Sequence, residues 1–258
     1  MSRGYCAFCQ KYDKLTGEHL WSDWINRLFP ERTKYDITRN YHNGRVIKSK
    51  LLGLSEKRPV VCGSCNSGWM SDIEDEVKPI LSPLIKNCEP FLFLPSHMAA
   101  LSVFAFEKAV ISDHMDGKRK PFFTVAQRTS FKRNLTIPDG IQVWIASVGN
   151  EYFNGIFQSY IFEVGKNSKP LKDIKFLSFT WSAGYFVLQL LAMRWKNPAS
   201  KPKNLPGFLS PSHEWNRASL RIWPNNGKPL AWNRTHHLSG KALQVFTNRW
   251  QAPVITFE

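Results

Sequence analysis

Acidic residues are scarce in this chain: 20 Asp and Glu stand against 35 Lys and Arg, a formal net charge of +15. Such an imbalance favours polyanionic partners, nucleic acid first and an anionic membrane surface second. No apolar run approaches the roughly 18 residues of a membrane span, and the longest, "YFVLQLLAM", is interrupted by a polar residue. The first residues, "MSRGYCAFCQ", lack the apolar core of a secretory signal, so the expected compartment is cytoplasmic, where paired cysteines favour metal over disulfide. There is no internal repeat and no low-complexity tract. What is present is a folding composition: 258 residues, 43% hydrophobic and 14% aromatic, enough for one large domain or two smaller ones.

Five cysteines occur, and four of them form two CxxC pairs, Cys6 and Cys9 in "CAFC" and Cys62 and Cys65 in "CGSC". Two residues between thiolates let one tight turn present both sulfurs to one ion, and two such turns complete a tetrahedral zinc shell. A thioredoxin-like redox motif would need one pair in a βαβ context. With four thiolates bound, the ion has no open position for water, so this zinc is expected to staple structure rather than catalyse. Cys88 stands outside the pattern and reads as a buried apolar filler.

Between the pairs lies "LTGEHLWSDWINRL". Leu20, Trp21, Trp24, Ile25, Leu28 and Phe29 have helical spacing up to Pro30, so Trp21 and Trp24 read as core and His19 as the residue just before a helix. Residues 31 to 59 are basic, with Arg45, Lys48, Lys50, Lys57 and Arg58 as candidate phosphate contacts and an Asn-Gly signal for a basic hairpin or loop. "VVCGSCNSGWMSDIEDEVKPIL" then reads as a strand into the second knuckle, followed by a helix capped by Asn66 or Ser67. The acids Asp72, Glu74, Asp75 and Glu76 are expected on its exposed face.

In order, CxxC, an acid–His pair before a helix, CxxC, and Asn directly after the last cysteine resemble the zinc-stapled HNH nucleases, the His-Me finger or ββα-metal family. "EHLWSDWI" and "CNSGWMSDIEDEVKPIL" are similar in particular to a prokaryotic subgroup of that family whose C-terminal part carries elements like Ile222-Trp223-Pro224 and Arg249-Trp250. The resemblance covers residues 1 to about 88 and implies a ββα-metal endonuclease cutting phosphodiester bonds, in DNA first. It implies His19 as general base, with Glu18 and Asn66 holding a catalytic Mg2+ or Mn2+. Glu18 stands where the family more often has Asp, and Lys57 stands nine positions before Asn66, where it has Asn. Two other readings stay open: a non-catalytic zinc module that binds nucleic acid or regulates a partner, and an RNA-cleaving toxin or defence nuclease.

The division expected is 1–88 as the nuclease domain and 89–258 as an α+β accessory domain for substrate or partner binding. "MAALSVFAFEKAVISD" reads as a helix with an apolar face. "IQVWIASVGN", "YFNGIFQSYIFEVG", "IKFLSFTWSAGYFVLQLLAMRW" and "SLRIWP" read as strands of an antiparallel sheet, and "SGKALQVFTNRW" as a final helix. "KNPASKPKNLPGFLSPSHEWN" reads as a long loop. His236 and His237, beside Arg234, read as loop residues rather than phosphate ligands.

Overall fold

The computed structural model describes residues 2–29, 34–40, 46–52, 57–87, 89–115, 120–149, 156–166, 169–196, 218–232 and 237–247. For 34–40, 46–52, 156–173 and a few positions of the last helix it gives the backbone only. Arg45, Cys88, the Asn-Gly turn, the Pro-rich loop, His236 and Trp250 lie outside these residues.

The chain is mixed α+β and its sheets are antiparallel. Strands β1 (Arg3–Tyr5), β2 (Tyr12–His19) and β5 (Lys57–Cys62) form a small sheet in the order β1-β2-β5. The insertion between β2 and β5 carries a short helix, α1 (Asp23–Asn26), and a separate hairpin, β3 (Lys34–Asn40) with β4 (Val46–Leu52), where a basic hairpin or loop was expected. Helix α1 is shorter than the Leu20–Phe29 spacing suggests, because its flank is held by distant partners. The Trp21 indole donates to the Ser182 carbonyl at 2.8 Å, and the Leu20 carbonyl accepts from the Trp181 indole at 2.9 Å.

After β5 the chain turns at once into helix α2 (Gly63–Cys65), a π-helical turn (Asn66–Met70) and α3 (Ser71–Lys86). The cap expected at Asn66 or Ser67 is absent, because helical structure already begins inside the second knuckle. Asn66 turns its amide to Thr16, and the Ser67 hydroxyl donates back to the Gly63 carbonyl. Ile73, Val77, Ile80, Leu81, Leu84 and Ile85 form the buried stripe of α3.

Strand β6 (Phe91–Phe93) leads into α4 (Pro95–Met115), then α5 (Val125–Asn134). Strands β7 (Ile141–Ser147), β8 (Ile156–Lys166), β9 (Lys169–Ala183), β10 (Phe186–Trp195) and β11 (Ser219–Trp223) make a five-stranded sheet in the order β11-β7-β10-β9-β8. The short β12 (Leu230–Trp232) pairs with β6, and α6 (Gly240–Thr247) follows. Strand β7 is buried at every position, because both faces of the sheet are covered. Val143 and Ile145 join the main core, while Trp144 and Ala146 alternate to a second cluster with Leu243 and Phe246 of α6.

Helix α4 links the two halves. Its sequence suggests one apolar face, but it is buried nearly all round and packs on α3, β5, β10 and β11. Buried residues on either side of residue 88 belong to one hydrophobic cluster, from Cys6 to Trp232. The β9–β10 turn docks on the end of α3, where the Tyr185 amide donates to the Ile85 carbonyl at 3.1 Å. Gly184, at φ +54°, is required there: a Cβ would lie 2.2 Å from the Ile85 carbonyl oxygen.

Candidate functional site

Two polar clusters flank the β2–β5 pair, one near each end. At the first, the sulfurs of Cys6, Cys9, Cys62 and Cys65 all lie within 4.8 Å of one another. Cys9 Sγ and Cys62 Sγ are 3.6 Å apart, close to the ~3.8 Å edge of a tetrahedron with ~2.3 Å zinc–sulfur bonds. The first knuckle closes through Gln10, whose φ of +59° lets its amide donate to the Cys6 carbonyl at 3.1 Å. Its side chain donates to the Cys6 and Ala7 carbonyls, and the Arg128 guanidinium, buried on α5, also donates to Ala7. The thiols do not share their protons evenly. The bond from Cys65 pulls Cys6 down to about 4, the same bond and burial push Cys65 up, and burial raises Cys9. A thiolate already favoured among buried sulfurs at this spacing can hold a metal ion such as zinc.

The second cluster lies at the far end of β2. Glu18 is buried, and its Oε1 accepts from Lys108 Nζ at 3.0 Å. The same ammonium donates to Glu74 Oε1 at 2.9 Å and to the His19 carbonyl at 3.3 Å, and lies 3.1 Å from Glu107 Oε1. One buried lysine of α4 therefore joins the end of β2 to α3. Ser22 adds a short hydrogen bond to Glu74. Burial works against the charge on Lys108, but Glu107, Glu18 and Glu74 together hold its pKa well above the ordinary value. Burial also opposes ionisation of Glu74, yet Lys108 and Ser22 keep its pKa low. Glu107 has no exposure and no aligned hydrogen bond to either oxygen, and burial lifts it to about 8.

His19 ends β2 opposite Lys57. Its Nε2 lies 3.2 Å from Asp23 Oδ1 but off the line of a hydrogen bond, so the atom is buried with no aligned partner. Burial lowers its pKa, with Asp23 opposing and Lys57 assisting, so the ring is neutral at pH 7. The Asn66 amide donates to Thr16 Oγ1 at 3.1 Å. Thr16 precedes Glu18 by about 6.6 Å along the strand, so Asn66 abuts β2 one repeat before Glu18 and Glu74 abuts it at Glu18 itself.

Among the candidate phosphate contacts, Lys57 is exposed and Arg58 half-buried on β5, while Lys48 and Lys50 lie on β4 opposite Thr38 and Asp36. His237 is exposed, with its Nδ1 2.9 Å from the Ser147 hydroxyl. Asp72, Asp75 and Glu76 are exposed as expected; Glu74 turns inward.

Sequence reasoning did not find Glu74, Glu107 or Lys108 as site residues. The signal available for the last two was a charged pair inside the apolar run "VFAFEKAVI", where only buried or paired charges are tolerated. No family model, curated protein or solved structure matches this chain.

Proposed function

We propose that the chain is a metal-dependent endonuclease of the HNH, ββα-metal type, stapled by zinc at Cys6, Cys9, Cys62 and Cys65 and acting on nucleic acid, DNA first. The observation that carries this reading is His19: a neutral imidazole at a strand end, beside a carboxylate, with a buried Nε2 that has no aligned partner. A neutral imidazole serves as a general base near neutral pH once substrate binding brings a water to this atom, which is buried in the free chain. Asp23 stabilises the imidazolium formed, and Lys108 fixes the His19 backbone through its carbonyl. Lys57 and Arg58 lie on the neighbouring strand, where cations meet phosphate.

Glu18 and Asn66 would hold the Mg2+ or Mn2+. Among the described residues Glu18 Oε2 and the Asn66 amide oxygen make no hydrogen bond, and both are the hard oxygen donors such ions take. When bound, the ion would stabilise charge on the departing oxygen.

A second reading is favoured by Lys108. It already supplies Glu18 with a cation, so the carboxylate needs no metal ion, which suits a non-catalytic zinc module that binds nucleic acid. Incubation of the protein with plasmid DNA or structured RNA, with Mg2+, Mn2+ or no added divalent ion, separates the two. The nuclease reading expects metal-dependent cleavage that falls on the order of 100-fold or more in His19→Ala. Intact substrates under every ion, or equal cleavage by the variant, would leave the binding module. Cleavage of RNA alone would reassign the substrate.

A further inference from the structure

We propose that the exposed face of the β1–β2 hairpin is a platform for single-stranded nucleic acid, on which Tyr5 and Tyr12 stack bases while Arg3 and Lys14 meet phosphates. The register sets these four side chains together. Tyr5 lies opposite Tyr12 and Arg3 opposite Lys14, and by the two-residue period of a strand all four point to one side. The tyrosines are 70% and 61% exposed, the most exposed large apolar side chains among the described residues, and their rings meet edge to face at 5.3 Å. On the other side of the hairpin the buried Leu15 covers Gly4, where a Cβ would lie 2.9 Å from Leu15 Cδ1, and Asp13 stays exposed.

Charge complements the aromatics. Between Ser2 and Leu15 the chain carries Arg3, Lys11 and Lys14 against a single acid, Asp13. Asp13 alternates onto the opposite side, where its Oδ1 accepts the Lys14 amide at 2.7 Å. Exposed aromatic faces between cations are what an unpaired strand recognises, since its bases have free π-faces and its backbone is anionic; in a duplex those faces are already stacked. The platform lies on the strand that ends at His19: from Tyr12 to Glu18 β2 runs about 20 Å, its exposed side giving way to the buried Glu18. The knuckle of Cys6 and Cys9 closes the hairpin turn and holds the rings in register.

The inference deepens the nuclease reading by naming a single strand as substrate, and it is tested by a binding measurement that needs no cleavage. In a His19→Ala background without added divalent ion, the anisotropy of a labelled oligothymidine of about 16 nucleotides reports binding without cleavage, and the tyrosine variants isolate the platform's share. Tyr5→Leu and Tyr12→Leu should each weaken binding on the order of tenfold, whereas Tyr5→Phe and Tyr12→Phe should bind as the parent does. Arg3→Ser with Lys14→Ser should reduce the salt dependence by about 1.4, two phosphate contacts at ~0.7 each. Zinc content and circular dichroism confirm that each variant is folded. Parent-like affinity in both leucine variants overturns the proposal, and so does an unchanged salt slope in the serine pair; the tyrosines then serve another partner, such as a protein strand at the β1 edge. Failure of wild-type protein to cleave any substrate would overturn the nuclease reading and leave this binding result standing.

Discussion

The two ends of the β2–β5 pair handle buried charge in opposite ways. At one end four sulfurs converge, with the nearby Arg128 guanidinium spent on the Ala7 carbonyl. At the other, three carboxylates converge on the ammonium of Lys108. The thiol end can hold an ion from outside, and in the proposed reading its order depends on metal supply. The carboxylate end carries its own counter-charge and can form before any ion arrives. The comparison sets a group of ligands able to take a metal staple against a tie built into the sequence.

Removal of the ion from the thiol end should produce the largest effect in the molecule. Structural zinc contributes on the order of 10 kcal/mol in small peptides, comparable with the whole stability of a domain. Cys62→Ser, or stripping by a strong chelator, is expected to abolish protection of the β1-β2-β5 amides in hydrogen exchange while the amides of β7 and β10 stay protected. A zinc-free Cys62→Ser protein with unchanged protection would make the two ends alike, both held by the chain itself.

Lys108→Met attacks the other end and should cost about 3–5 kcal/mol, because Glu18 and Glu74 would face each other without a cation. Denaturant unfolding measures the loss, and repeating it with Mg2+ or Mn2+ sharpens the comparison. Recovery of stability with the ion would mean that the three carboxylates form a cation site once the lysine is gone. No recovery keeps the distinction between a metal end and a lysine end.

What could be read from the sequence follows from the same contrast. The cysteine cluster was legible because each pair is local, two residues apart in a turn, and needs only the two turns to meet. The strands of the large sheet were legible from their β-branched and aromatic runs. Lys108 was not, because its partners are spread over β2, α3 and α4, and nothing in a one-dimensional pattern states which helix crosses which strand. Glu74 shows the limit at a single position. Its neighbours Asp72, Asp75 and Glu76 are exposed as the helix pattern implies, and only the passage of α4 beside it turns one acid of the four into a buried partner. Tertiary contacts also set α1: Trp21 and Leu20 are tied to the β9–β10 hairpin by hydrogen bonds across 161 positions, and the longer helix suggested by their spacing gives way.

Glu107 offers the most specific test, since it is the one carboxyl of the cluster that burial lifts to about 8. Between its ordinary value of 4.5 and that pH, the folded chain holds a proton that the unfolded chain has released. Protons bound by the folded state alone make stability fall as pH rises, so this residue's contribution is full below about 4.5 and is lost towards about 8. Glu107→Gln keeps the shape without the titration and should flatten that fall, a difference of up to about 5 kcal/mol across the window. Urea unfolding of both proteins at pH values spanning the interval reads it directly. An equal slope in the variant would mean that Lys108 keeps Glu107 ionised, with all three carboxylates charged around one ammonium. Ionisation of Glu107 would add a third negative charge to those of Glu18 and Glu74 around the single ammonium, and the lysine end would favour a cation from outside more strongly.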